Sequence, residues 1–171
     1  LRSHGITRDH AQMEYPSDDG WYYEQIDLGY NYRMTDMHAA LGLSQLTRLH
    51  EYVQKRQSIA ARYDQEFKGT NLQTPYRNPK NKSALHLYVI QVEPKKHKHI
   101  FDKLRESDVG VNLHYIPVHT QPYYQNLGFS WGDFPYSEDY YKRAISLPMF
   151  PKLTENEQIF VIDTVKRLCD G

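Results

Sequence analysis

The chain has 171 residues, and lysine plus arginine (21) balance aspartate plus glutamate (21), so the formal net charge is zero. This length suits one compact domain with an appended element, and a balanced charge lacks the single-sign field that nucleic-acid binding or polybasic membrane attachment requires. No apolar stretch approaches the roughly 20 residues that span a bilayer, and Cys169, the single cysteine, excludes an intrachain disulfide and a cysteine-based zinc site. We therefore expect a soluble, cytoplasmic protein with no nucleic-acid or membrane partner.

The first segment, residues 1–34, is rich in polar residues, glycine and tyrosine, and is expected to be an arm with little regular structure. A helical pattern begins after it, with Thr35 as N-cap and Asp36 in the first turn, where a negative charge suits the helix dipole. Apolar residues then recur at mostly three- and four-residue steps, and no proline occurs before Pro75. The pattern predicts one long helix over residues 35–68 that bridges two bodies.

Small side chains lie close together in the first part of this helix, at Ala39, Ala40 and Gly42. A glycine in a helix interior costs about 1 kcal/mol relative to alanine, so another element is expected to approach the backbone there. One interpretation is a tight contact with another domain or a second subunit. The other is packing inside this chain.

The remainder, residues 69–171, predicts a small α/β domain in which helices pack on a short sheet. Its expected elements are a strand over 84–92, a helix over 97–106, a strand over 111–115, a helix from 135 through 145, and a terminal helix that ends at Leu168. The terminal helix is announced by a capping box, Thr154 followed by Glu157.

A dense polar and aromatic segment follows the predicted strand 111–115 and contains His114, Tyr115, His119 and Tyr123. Ligands of α/β domains bind beyond the carboxyl ends of parallel strands, and imidazoles and phenols can bond to a diphosphate or stack on a sugar or base. The alternative is an ordinary amphipathic rim. A metal site is disfavoured, because the two histidines are five residues apart with a proline between them and no carboxylate or thiol nearby.

A second candidate site is the segment that precedes the predicted long helix. Helix N-termini attract phosphate groups through free backbone N–H groups, and Asn31 and Arg33 would add side-chain donors. The alternative is a plain capping loop, with Arg33 in a surface ion pair.

Four segments together carry a resemblance to a known family: GYNYRMTDMHAALGLSQL (29–46), VNLHYIPVHTQPYYQNLGF (111–129), GDFP (132–135) and RAISLPMFPKLTENEQ (143–158). In this order they resemble the C-terminal half of the DegT/DnrJ/EryC/StrS sugar aminotransferases. The resemblance implies the small C-terminal domain of a fold-type I aminotransferase, with the long helix joining it to a large domain.

The resemblance also implies an activity. In such a homodimeric enzyme, pyridoxal phosphate bound to a lysine of the large domain moves an amino group from glutamate to C4 of a UDP-linked 4-keto-6-deoxy-N-acetyl sugar, as in pseudaminic acid synthesis. No lysine of this chain occupies the matching context. We therefore expect the chain to be the C-terminal part of the enzyme and to be inactive alone.

By the same resemblance, Asn31 reaches the cofactor phosphate of the neighbouring subunit, and Arg33 lies near that phosphate or the substrate diphosphate. His114, Tyr115, His119 and Tyr123 are implied to line the nucleotide-sugar pocket, with His119 the strongest candidate. Two alternatives stay open. One is a non-catalytic module for dimerisation or sugar-nucleotide binding, and the other is a related aminotransferase that acts on a dTDP- or GDP-linked keto sugar or at C3.

Overall fold

The computed structural model describes residues 1–15 and 17–170. The chain divides into two compact units, Leu1–Arg48 and Leu49–Gly171. In the part of the chain that the structure describes, no helix is long and apolar enough to cross a membrane.

Unit 1 is built around a two-stranded antiparallel ribbon. Strand β1 (Ile6–Thr7) pairs with β2 (Glu24–Gln25), so that Ile6 lies opposite Gln25. A 3-10 helix, His10–Gln12, follows β1, and helix α1 (Asp36–Leu46) ends the unit. Thr35 is the N-cap of α1, as predicted, because its hydroxyl accepts the backbone N–H of His38 at 3.3 Å.

The predicted single helix over 35–68 is interrupted, and this expectation was wrong. Helix α1 ends at Leu46, and helix α2 (Leu49–Glu66) begins three residues later. The hydroxyl of Thr47 donates to the carbonyl of Ser44 at 2.9 Å, and the Arg48 N–H bonds to Gln45, three residues back, at 3.1 Å. These bonds tighten the chain and compete with the regular four-residue ladder. The expected segment boundaries at 34/35 and 68/69 stay predictions.

Unit 2 contains the second sheet. Strand β3 (Tyr88–Gln91) pairs antiparallel with β4 (Ala144–Leu147), with Tyr88 opposite Leu147. Single bridges extend the sheet on both sides: Gln73 pairs with Gln91, and Asn112 pairs with Ser146. All of these pairings are antiparallel.

The strand prediction over 111–115 was wrong. Only Asn112 of the expected strand 111–115 pairs with a neighbouring strand. Its side-chain oxygen accepts the Leu113 N–H at 2.8 Å, a local bond that competes with continued strand pairing. The prediction that the polar segment follows the carboxyl end of a parallel strand was therefore also wrong, because the described pairings of this sheet are antiparallel.

The helix expected through residue 145 is also shorter than predicted. Helix α5 (Pro135–Tyr141) ends early, and residues 144–147 form the buried strand β4. A four-residue run that is apolar except for Ser146 fits a helix or a strand equally well, and burial of the run in the folded chain favours the strand.

Three helices cover the sheet of unit 2: α2, α3 (Pro94–Glu106) and the terminal α6 (Glu155–Asp170). A 3-10 helix, Val118–Thr120, and the short helix α4 (Pro122–Gln125) lie between Asn112 and α5 in the sequence. The capping box of α6 is present as predicted, because the Glu157 carboxylate accepts the Thr154 N–H at 2.7 Å while the Thr154 hydroxyl accepts the Glu157 N–H at 3.3 Å. The largest fully buried side chains are Tyr63, Phe67, Tyr88, Ile90, Ile100, Leu104, Val111, Ile145 and Val165. Unit 2 therefore has its own core.

Candidate functional site

The polar segment after Asn112 starts at the open edge of β4. The imidazole Nδ1 of His114 lies 2.8 Å from the hydroxyl of Ser146, a buried residue of β4. The antiparallel bridge between Asn112 and Ser146 sets this contact, because it places the segment directly beside the strand. The orientation of His114 is therefore fixed from the sheet.

His114 and Ser146 line a cavity of about 670 Å³, a size typical of small-molecule sites. Its other polar lining groups are Asp108, Asn112, Asn156 and Glu157, and its apolar walls include Met149, Phe150, Leu153 and Phe160. Among the described residues that line it, none is a lysine or an arginine. We refer to this space as the His114 cavity, and its lining suits an uncharged polar ligand with apolar faces.

Glu157 brings a negative charge to the rim of the His114 cavity. The backbone N–H of Thr154, together with its hydroxyl, lowers the pKa of this carboxyl below its ordinary value. An ionised carboxylate at the rim repels a diphosphate and accepts hydrogen bonds from hydroxyl groups. The cavity is therefore better suited to a sugar or a base than to phosphate.

His119 lies apart from this cavity and is buried, with 7% of its surface exposed. Its Nε2 lies 2.9 Å from Oε1 of Glu138, which is also buried, and the Gly132 N–H donates to the same oxygen at 2.6 Å. The hydrogen bond from His119 is the main cause that lowers the pKa of the Glu138 carboxyl. Glu138 thus links three elements. It contacts the 3-10 helix Val118–Thr120 through His119 and the turn before α5 through Gly132, and it belongs to α5.

His119 faces a second recess, of about 380 Å³, which we call the His119 recess. It is lined by Val118, His119, Tyr124, Phe129, Phe134 and Ser137. The rings of His119 and Phe134 are 4.8 Å apart between centroids, and that of Trp131 is 6.4 Å from His119. The recess is therefore largely aromatic, with one imidazole and the hydroxyl groups of Tyr124 and Ser137.

Tyr115 and Tyr123 are mostly exposed, at 71% and 69%. The Tyr115 ring meets the His114 imidazole edge to face with 4.7 Å between centroids, and Tyr123 meets Tyr124 in the same way at 5.3 Å. Each tyrosine thus flanks one of the two cavities without lining it. The four predicted residues do not share one cavity, and their role in substrate binding stays a prediction.

Asn31 and Arg33 lie in unit 1, on an exposed strand-like segment before α1. This segment is held by the start of the chain. Asn31 forms a single antiparallel β-bridge with Ser3, and the backbone N–H groups of Tyr30 and Tyr32 donate to the carbonyls of residues 1 and 2, respectively. The rings of Tyr30 and Tyr32 stack at 4.7 Å. Both candidate phosphate donors are accessible, and their roles stay predictions.

Sequence reasoning missed two residues of these sites, Ser146 and Glu138. Ser146 had a usable signal, since it is the polar residue of a buried apolar strand, and a buried hydroxyl needs a partner. Glu138 had none, because an acidic residue in the first turn of α5 reads as a favourable helix-dipole charge. Over the residues described, no group of three or more histidine, cysteine or acidic side chains could hold a metal ion.

Residues 1–166 match the DegT/DnrJ/EryC1/StrS aminotransferase family, and the chain belongs to this family. The spore coat polysaccharide biosynthesis protein SpsC of Bacillus subtilis is 39% identical over 100% of this chain and 46% of its own length. The UDP-4-amino-4,6-dideoxy-N-acetyl-beta-L-altrosamine transaminase of Campylobacter jejuni is 32% identical over 96% of this chain and 42% of its own.

Among solved structures, the apo form of the sugar aminotransferase Spr1654 from Streptococcus pneumoniae matches with a TM-score of 0.84 at 30% identity, covering 99% of this chain and 42% of that one. The predicted α/β fold of a fold-type I aminotransferase part is thereby confirmed. The chain spans less than half the length of the relatives that it matches.

Enzymes of this family depend on pyridoxal phosphate, and Spr1654 has been solved with it. This cofactor supplies an electron-withdrawing ring that stabilises negative charge on the substrate carbon. The described residues offer exposed donors suited to its phosphate, Asn31 and Arg33. The buried polar side chains of the described residues are His119, Glu138, Ser146, Gln158 and Thr164, with no lysine among them. Asn31 and Arg33 are thus the described residues that would hold the cofactor phosphate, and this role stays a prediction.

Proposed function

We propose that this chain is the part of a nucleotide-sugar aminotransferase that receives the sugar nucleotide, in an enzyme that transfers an amino group from glutamate to C4 of a UDP-linked 4-keto-6-deoxy-N-acetyl sugar. The observation that carries the proposal is the His114 cavity, whose polar groups and apolar walls match the hydroxyls and faces of a pyranose ring. The name of the Campylobacter relative, a UDP-amino-sugar transaminase, supports the choice of substrate. Pseudaminic acid synthesis is the proposed pathway.

In this proposal, His114 and Tyr115 hold the sugar at the His114 cavity, and His119 and Tyr123 act at the His119 recess. Asn31 and Arg33 supply the phosphate donors, since neither amide nor guanidinium is buried and a helix N-terminus follows them. Ser146 is added to the set because its hydroxyl fixes the His114 ring.

A titration of the 171-residue chain with UDP-N-acetylglucosamine tests the proposal, by calorimetry or ligand-observed NMR. Ser146→Ala removes the partner of His114 and is expected to weaken binding about tenfold, the cost of a lost hydrogen bond in a binding site. Ser58→Ala is the matched control, because its exposed hydroxyl bonds only within α2 and lies outside both cavities. Equal affinity of Ser146→Ala and the wild type would contradict the proposal.

The alternatives differ in their ligand. A related aminotransferase for another keto sugar predicts tighter binding of dTDP- or GDP-linked sugars than of UDP-linked ones, and the same titration compares them. The spore coat relative is named for polysaccharide synthesis and its name specifies no nucleotide, so it leaves both candidates open. A non-catalytic dimerisation module predicts no sugar-nucleotide binding.

We also propose that the 171-residue chain does not transaminate alone and that the whole enzyme is a homodimer. The first part rests on the family resemblance, which places the cofactor lysine in the large domain, and on the absence of a lysine in the matching context of this chain. Mixing the chain with pyridoxal phosphate and glutamate should give neither the absorbance band of bound cofactor nor 2-oxoglutarate. The cytoplasmic location stays a prediction.

The homodimer proposal is supported by α1. Its apolar side chains Met37, Leu41, Leu43 and Leu46 are all more than half exposed, and no atom lies within 4 Å of a Cβ placed on Gly42. Exposed apolar side chains on several sides of a helix mark an interaction site, which favours contact with another domain or a second subunit over packing inside the chain.

A further inference from the structure

The buried pair of His119 and Glu138 restricts what His119 can do in a nucleotide-sugar site. The Nε2 of the imidazole lies 2.9 Å from Oε1 of Glu138, which also accepts the Gly132 N–H. A carboxylate in this position accepts a proton that is carried on Nε2, so the neutral ring has its acceptor nitrogen at Nδ1. The tautomer of His119 is thereby set by Glu138.

The same pair rules against His119 as a cation for the diphosphate. In its neutral form the ring has no charge to offer, and in its protonated form the adjacent Glu138 carboxylate cancels the charge. A diphosphate needs a net positive partner, as an exposed arginine provides. A base or a sugar instead offers N–H and O–H donors to an acceptor nitrogen.

We propose that Glu138 is a positioning residue that fixes the His119 imidazole so that it serves the nucleoside of the nucleotide sugar, its base or ribose, and not the diphosphate. This inference rests on the proposed function. The lining of the His119 recess agrees with it, because aromatic rings such as Phe129 and Phe134 surround the imidazole and can stack on a planar base.

The test compares two probes, uridine and UDP, on the ¹⁵N-labelled 171-residue chain by NMR titration. The indole N–H of Trp131 is the reporter, since this ring lies 6.4 Å from that of His119. Glu138→Gln keeps the shape but gives a weaker, uncharged acceptor that can also turn its amide N–H toward the imidazole. We expect it to weaken uridine and UDP by the same factor, about three- to tenfold.

Asp139→Asn is the matched control. It removes a neighbouring carboxylate that pairs with Arg143 on the surface at 2.8 Å and lies outside the His119 recess. Both affinities should stay at the wild-type values in this variant.

A measurement on the wild type keeps the inference testable if Glu138→Gln does not fold. The ¹⁵N shifts of His119 should show a protonated Nε2 and an unprotonated Nδ1, and the Nδ1 shift should move when uridine saturates the chain. A static Nδ1 shift under saturation would overturn the inference.

The outcomes separate this inference from the proposed function. If UDP binding weakens in Glu138→Gln while uridine binding does not, His119 serves the diphosphate and the inference is wrong. If both affinities stay unchanged, the pair is only structural and the inference alone fails. If the wild type binds neither probe, the proposed function fails and the inference fails with it.

Discussion

The guanidinium Nη1 of Arg56, on α2, lies 3.0 Å from the carbonyl oxygen of Met149, which follows β4. The same nitrogen also lies 3.1 Å from the carbonyls of Leu85 and His86, before β3. One side chain thus ties a helix to the loops at the ends of both strands. Met149 lines the His114 cavity, so this contact also shapes the candidate site.

Arg56→Met is expected to lower the free energy of unfolding of unit 2 by about 2–4 kcal/mol, because three carbonyls lose a charged donor while the apolar stem is kept. Chemical denaturation followed by circular dichroism measures the change. The neighbouring Lys55→Ala is the control, since Lys55 pairs only with the exposed Glu51 at 2.7 Å and should cost no more than about 0.5 kcal/mol. If Arg56→Met lowered the free energy of unfolding no more than the control does, the three hydrogen bonds of Arg56 would not stabilise unit 2.

Gly29→Ala is expected to disrupt the first segment of unit 1. A Cβ at Gly29 would lie 2.1 Å from the backbone nitrogen of Gly5 and 2.6 Å from the carbonyl oxygen of Leu1, and backbone atoms cannot move aside cheaply. Amide hydrogen exchange should therefore lose the protection of the Tyr30 and Tyr32 N–H groups. Gly42→Ala is the control, because a Cβ there meets open space and should stabilise α1 by up to about 1 kcal/mol. Preserved protection in Gly29→Ala would show that the segment packs differently.

Alkaline pH should unfold unit 2 through its buried phenols. Burial raises the pKa of Tyr63 and Tyr88 well above the ordinary value. A group that ionises more readily in the unfolded chain stabilises the fold fully below its unfolded pKa, and this contribution is lost as the pH rises above about 10. The free energy of unfolding should fall steeply there, as denaturation at a series of pH values would show.

Substitution of one phenol sharpens that test. Tyr63→Phe removes one titrating group, so the alkaline fall should be less steep, although the lost bond from its hydroxyl to the Pro148 carbonyl, 3.0 Å long, should cost about 1 kcal/mol near neutral pH. Tyr76→Phe is the control, because Tyr76 is exposed, and its pH profile should match the wild type. An unchanged slope in Tyr63→Phe would mean that this phenol ionises without unfolding.

Self-association should depend on the exposed apolar side chains of α1. Leu43→Gln is expected to reduce the association of the chain in analytical ultracentrifugation at least tenfold, because an exposed leucine that becomes buried at an interface contributes roughly 1.5–3 kcal/mol. Its effect on folding should be small, since Leu43 is 68% exposed. Gln45→Ala on the same helix is the control. A wild-type chain that stays monomeric at high concentration would count against the homodimer.

Local signals in the sequence predicted the elements whose determinants lie within a few residues. The N-cap at Thr35 and the capping box at Thr154 and Glu157 were found correctly, because a cap joins a side chain to a backbone group three residues away. The break after Leu46 was missed, since no proline or glycine marks it and a threonine hydroxyl bond makes it.

The composition and order of residues by themselves determined the family and the α/β class, and they indicated the candidate site residues. Only the tertiary structure decided which of them act together, because the antiparallel bridge of Asn112 to Ser146 and the burial of Glu138 join positions that are far apart in sequence. His114 and His119, five residues apart, were separated for the same reason: each side chain is oriented by a partner that only folding brings to it, Ser146 for one and Glu138 for the other.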